Sequence, residues 1–234
     1  MHDLLDAEAR YRDWSDRIER ISAETATLFW SRKLVRAIGR MFETNEELRN
    51  SGGHVWNLIL RLYGRDAVVA IRRELDGQAR VVNLFHLLHD MEAHARILTR
   101  TRYHTLMAGS SIRPITIDRQ FEKTFGAPPG PGTPEDHVPP EVIKGDRALL
   151  KKETAKVLDY AQRFVAHRTP ADTFPLTLQE VDDAIQAVHR CLAKYRVLLT
   201  GRSVTPATPV PQYDWLAPFR MPWLIAAIRP TDDE

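Results

Sequence analysis

The chain has 234 residues, 43% of them hydrophobic and 27% charged, which is ordinary for a globular protein and near the size that one hydrophobic core still serves. Thirty-three basic against 31 acidic residues leave a formal net charge of +2, so no global field points to nucleic acid and any such case has to be local. The single Cys191 excludes an internal disulfide. The start Met1-His-Asp-Leu-Leu-Asp-Ala-Glu8 lacks the basic and apolar regions of a signal peptide, and no stretch approaches the roughly 20 apolar residues that span a bilayer. A cytoplasmic protein without a membrane partner is therefore expected.

In chain order, residues 3 to about 48 carry no proline. Leu4, Leu5, Tyr11, Trp14, Ile18, Ile21, Leu28, Leu34, Val35, Ile38 and Phe42 recur at helical spacing, as one long helix or as two broken near Ile21. Asn50-Ser-Gly-Gly53 is the first clear break. Val55, Leu58, Ile59, Leu62, Val68, Val69 and Ile71 make the next helix, ending near Leu75-Asp-Gly77, and Gly64 inside it suggests close packing or a kink. A further helix is predicted from about Ala79 to Tyr103. On its polar side His86, His89 and Asp90 are types that bind zinc or iron in helical bundles, but a solvated face explains them as well, and no metal or cofactor is assigned.

From Ala108 to Pro140 glycine and proline cluster, with a short helix expected only over Asp118 to Phe125. Such a connection is a functional loop or a variable insertion. Beyond it, Asp146 to His167 reads as one amphipathic helix. Leu150, Val157, Ala161 and Phe164 form its apolar stripe, while Lys152, Lys156, Tyr160, Arg163 and His167 fall together on the opposite side. Pro170 should stop the helix near His167. Between Lys144 and Arg168 seven basic residues face three acidic ones, a local excess of four.

Thr177 and Glu180 have capping-box spacing, and Leu176 with Val181 fits a hydrophobic staple. The helix they start runs through Leu199, and Gly201 suits its C-terminal cap. The segment from residue 202 to 234 is too proline-rich to be helical yet carries Trp215, Phe219 and Trp223, so an extended arm packing on the bundle or on a second subunit is expected. With no convincing strand, the fold class is all-α: an up-and-down bundle of about five helices over residues 1–201, interrupted by the 108–140 insertion.

The helix ending Tyr160-Ala-Gln-Arg-Phe-Val-Ala-His167 and the capped helix ending Tyr195-Arg-Val-Leu-Leu-Thr-Gly201 resemble the abortive-infection U-type (AbiU-like) branch of the HEPN superfamily. The runs Asp66 to Asp76 and Val81 to Leu88 are similar to that branch's middle helices. The resemblance implies a helical bundle that dimerises and a phage-defence or toxin-type role with an antitoxin or other protein partner. In active members it implies a metal-independent RNase. The family's arginine precedes its histidine by four to six intervening residues; here His167 matches, while Arg163 has only three residues between.

The chemistry of RNA cleavage asks for a group that moves the 2′-hydroxyl proton and a fixed charge on the phosphate. His167 and Arg163 are of those types, with Lys152 and Lys156 suited to neighbouring phosphates and Tyr160 to stacking a base. A histidine that merely caps its helix, among solvated lysines, fits the same residues. A helical module that binds RNA or protein without cleaving is the alternative.

Overall fold

The computed structural model describes residues 2–46, 53–78, 81–110, 112–126, 136–166 and 176–202, with the side chains of 2–4 and 164–166 excepted. All regular elements among them are helical, as expected. They are α1 (His2–Thr44), α2 (His54–Glu74), α3 (Leu84–Ala93), α4 (Arg100–Met107), α5 (Pro114–Phe125), α6 (Pro140–Tyr160) and α7 (Leu178–Thr200). About five helices were expected, and seven α-helices stand among the described residues. None of the helices there is long and apolar enough to cross a membrane.

α1 is one continuous helix of 43 residues, about 65 Å long. No break occurs at Ile21 because the polar residues around it do not act as caps. Ser22 Oγ donates to Ile18 O (2.7 Å) and Thr25 Oγ1 to Ile21 O (2.8 Å), returning both hydroxyls to the helix's own carbonyls. α2 starts after Gly53, whose φ of 61° needs glycine. Gly64 in α2 has nothing within 4 Å of where a Cβ would stand, so close packing does not explain it.

The single helix predicted from Ala79 to Tyr103 is a correction. α3 ends at Ala93, a 3-10 turn covers Ala95–Ile97, and Thr99 begins α4 by accepting from Arg102 N at 3.2 Å. The cause lies far away in sequence: Arg100 N donates to Asp136 O (2.8 Å) and Val138 N to Leu98 O (3.0 Å), a two-bond strap that requires non-helical backbone at Leu98 and Thr99.

The insertion is also more structured than expected. Pro114 opens α5 in the position proline tolerates best, Ile117, Phe121 and Phe125 are buried, and Tyr103 meets Phe121 and Phe125 at ring distances of 5.5 and 5.8 Å. Arg100, 5% exposed in its side chain, reaches Asp118 and Glu122 at 3.1 Å and Asp136 at 3.4 Å, tying both sides of the insertion to α4. Residues 127–135 of it lie outside the described residues.

α6 begins at Pro140 rather than Asp146. The capping box of α7 is present as predicted: Thr177 Oγ1 accepts from Glu180 N (3.2 Å) and Glu180 Oε2 from Thr177 N (2.8 Å), with Gly201 at φ 66° closing the far end. The arm beyond Arg202 lies outside the described residues.

Two clusters make the core. The larger joins Trp14, Ile18, Leu87, Met91, Tyr103, Phe121 and Leu192; the smaller joins Leu28, Val35, Ala67, Ile71, Val157, Ala161 and Ile185. α1, α6 and α7 contribute to both.

Candidate nucleic-acid interface

Helix α6 buries Ile143, Leu150, Thr154 and Val157, followed by Ala161. This bears out the apolar stripe as far as Ala161; the Phe164 side chain lies outside the described residues. At Ala161 the backbone turns into a π-helix that runs to Ala166. Bonding from i to i+5 takes more residues per turn than the α-helix. The helical wheel that aligned Arg163 with Lys152 and Lys156 therefore loses its register past Tyr160.

Of the five predicted site residues, four can be placed. Lys152 is exposed on α6. Lys156 is exposed but ion-paired with Glu180 Oε1 of α7. That lysine first, and the Thr177 amide second, pull the Glu180 carboxyl down to about 2. Tyr160 is half-buried against the smaller cluster. Arg163 Nε is 2.9 Å from Asp159 Oδ1, an exposed ion pair one turn apart. His167 lies outside the described residues. The structure thus brings Lys152, Lys156, Tyr160 and Arg163 along one helix but spends two of their three charges on carboxylates.

A different face of α6 is the electropositive one. Lys144, Lys151 and Lys152 are exposed, stand at steps of seven and eight along the helix with the small Ala148 and Ala155 between and beyond them, and their ammonium groups have no partner among the described residues. Of the four acids of α6, Asp146 and Glu153 point to α7, Asp159 pairs with Arg163, and Glu141 in the first turn stays exposed. Asp146 accepts from Lys194 (2.6 Å) and Tyr195 (2.7 Å), and Glu153 accepts from Arg190 at 2.8 and 2.9 Å. Packing therefore turns two carboxylates of α6, Asp146 and Glu153, onto the neighbouring helix and leaves these three lysines outside, with Glu141 the exposed acid nearest Lys144. The local excess of basic residues signalled this region; which lysines stay free depends on α7.

A second polar centre joins α1, α2 and α7. Asp182 of α7, 6% exposed, faces Arg32 Nε (3.2 Å) and accepts from Arg36 Nε (2.5 Å) and Tyr63 Oη (3.2 Å). Burial, reinforced by the Asp182 charge, pushes the Tyr63 phenol well above its ordinary range, so it remains a donor. Burial and then the Arg32 charge lower His189, whose ring meets Phe29 edge-on at 4.7 Å. Beside this centre opens a cleft of about 650 Å³. Nothing in the sequence singled it out, because its parts come from three helices.

Of the residues considered for metal, Asp90 is engaged elsewhere, accepting from Trp14 Nε1 (2.7 Å) and Arg10 Nη1 (2.9 Å), whereas His86 Nε2 is buried without a hydrogen-bond partner among the described residues and His89 is exposed. Among the described residues no three His, Cys, Asp or Glu side chains converge to hold a metal ion. Comparison with family models, with curated proteins and with solved structures returned no match.

Proposed function

We propose that the protein is a helical RNA-binding module whose contact surface is the lysine face of α6. The observation that carries this reading is the separation of charge on α6. Asp146 and Glu153 are neutralised by α7 while Lys144, Lys151 and Lys152 stay exposed on one face. A row of mobile ammonium groups on a smooth, alanine-lined helix suits the phosphates of a backbone and reads no sequence. The test is binding of labelled single-stranded RNA across salt concentrations, comparing wild type with Lys144→Gln/Lys151→Gln/Lys152→Gln. For three phosphate contacts the log–log salt slope falls by about 2 in the triple variant. An unchanged slope and affinity would remove this face from the interface.

A nuclease reading stands beside it, favoured by the π-helix at Ala161–Ala166, since such segments recur at functional sites. In this reading His167 moves the 2′-hydroxyl proton and Arg163, released from Asp159, holds the phosphate, with Lys152, Lys156 and Tyr160 along the approach. The resemblance to HEPN proteins supports it, and with it a defence or toxin-type role, a homodimer, an antitoxin or other protein partner and a cytoplasmic setting. Cleavage of RNA in EDTA that disappears in both His167→Ala and Arg163→Ala would establish it. Binding without cleavage by folded protein would leave the binding module alone.

A further inference from the structure

The α1–α2–α7 cleft combines three features that the RNA reading does not use. The first is charge held in place. Arg36 is clamped by the buried Asp182 through Nε and Nη2, which leaves its third nitrogen uncommitted to that carboxylate, and its side chain is 45% exposed. One turn on, Arg40 also lines the cleft, is exposed, and has no side-chain partner among the described residues. Two guanidinium groups four residues apart on a rigid helix, one of them fixed by a carboxylate behind it, form a fork for a single anionic group.

The second feature is a flat wall. Trp56 of α2 stacks on Phe42 of α1 with ring centroids 5.1 Å apart and 18° between planes, and both line the same cleft. Gly39 makes the approach feasible: a Cβ there would stand 3.3 Å from Trp56 Cζ2, so a larger residue between Arg36 and Arg40 would push the indole away. The third is room, about 650 Å³, which is within the range of small-molecule sites.

We infer that this cleft is a binding site for a small phosphate monoester carried on a planar ring, the phosphate on Arg36 and Arg40 and the ring along Trp56 and Phe42. Asp182 is a positioning residue, since it touches the guanidinium groups and not the ligand. Such a ligand has two sources, a free aromatic phosphate metabolite or a nucleoside monophosphate, and the same chemistry serves both.

The test is calorimetric titration of the full chain with phenyl phosphate, adenosine 5′-monophosphate and inorganic phosphate. Both ring-bearing phosphates bind at one site per chain, and inorganic phosphate binds at least about tenfold more weakly because it cannot use the wall. Whichever of the two binds more tightly identifies the source. Arg40→Gln, which disturbs no internal contact, weakens both by about tenfold, the loss of one charge-assisted hydrogen bond. Trp56→Leu weakens the ring-bearing ligands and leaves inorganic phosphate unchanged. No binding of either ring-bearing phosphate at millimolar concentration overturns the inference. So does binding that ignores both substitutions, or inorganic phosphate binding as tightly as phenyl phosphate. The Lys144/Lys151/Lys152 triple variant keeps this binding intact, so the failure of one reading is separable from the failure of the other.

Discussion

Glu74 closes α2 with 1% of the residue exposed, and its removal as an ionisable group has a calculable effect on stability. Oε2 accepts from Leu84 N at 3.2 Å, at the start of α3, and Oε1 is 3.7 Å from Arg73 Nε. Arg73 also serves Glu24 at 3.5 Å. Burial is the dominant influence and pushes the Glu74 carboxyl from 4.5 up to about 7. The folded protein therefore holds this proton more tightly than the unfolded chain. Below the unfolded value both states are protonated and Glu74 carries no penalty. As pH rises through the window from 4.5 to about 7 the unfolded state releases its proton first, and folding loses stability at about 1.4 kcal/mol per pH step, about 3 kcal/mol in all. Above that the loss is constant.

Glu74→Gln keeps an oxygen acceptor for Leu84 N and cannot ionise, so the variant lacks this loss. Urea denaturation of both proteins from pH 4.5 to 8, analysed by linear extrapolation, measures the difference, in which titrating groups not coupled to Glu74 cancel. The variant gains on wild type as pH rises, by up to about 3 kcal/mol. A difference that does not change with pH, or one that moves in favour of wild type, would refute the reasoning.

Other consequences follow from the same contacts. Asp90→Ala leaves the buried Trp14 indole and Arg10 without their shared acceptor and costs roughly 2–4 kcal/mol by denaturant unfolding; a loss well under 1 kcal/mol would show that water replaces the carboxylate. Thr177→Ala removes one half of the capping box and costs about 1 kcal/mol, seen as a fall in Tm of roughly 2–4 °C. Gly201→Ala forces a side chain into φ 66° with its Cβ 3.2 Å from Leu106 O, costing about 1–2 kcal/mol or more, whereas the same substitution at Gly64, where a Cβ meets nothing, stabilises by about 1 kcal/mol. Paired thermal melts of these last two variants should move in opposite directions.

What could be read from the sequence was local. The helical class, the box at Thr177 and Glu180, the cap at Gly201 and the apolar face through Leu150, Val157 and Ala161 each depend on residues within a turn or two of one another. The errors have the opposite origin. The helix predicted through Leu98 and Thr99 breaks because, from the side, Asp136 O accepts from the Arg100 amide and the Val138 amide donates to Leu98 O. The basic face drawn on the wheel changes because Glu180 claims Lys156 and the π-helix changes register after Tyr160. Arg36 and Asp182 are separated by 146 positions, and no periodicity links them.

The two core clusters are bridged three times, by α1, by α6 and by α7. A domain divided into two packed regions would ordinarily open one while the other stays closed, but here each region is braced by the same three rods. Loosening the packing around Trp14 strains the helix that carries Val35, and loosening it around Leu192 strains the helix that carries Ile185. The molecule should consequently melt as one cooperative unit, with amide hydrogens of Ile18 and Val35 exchanging through a common opening event despite lying in separate clusters.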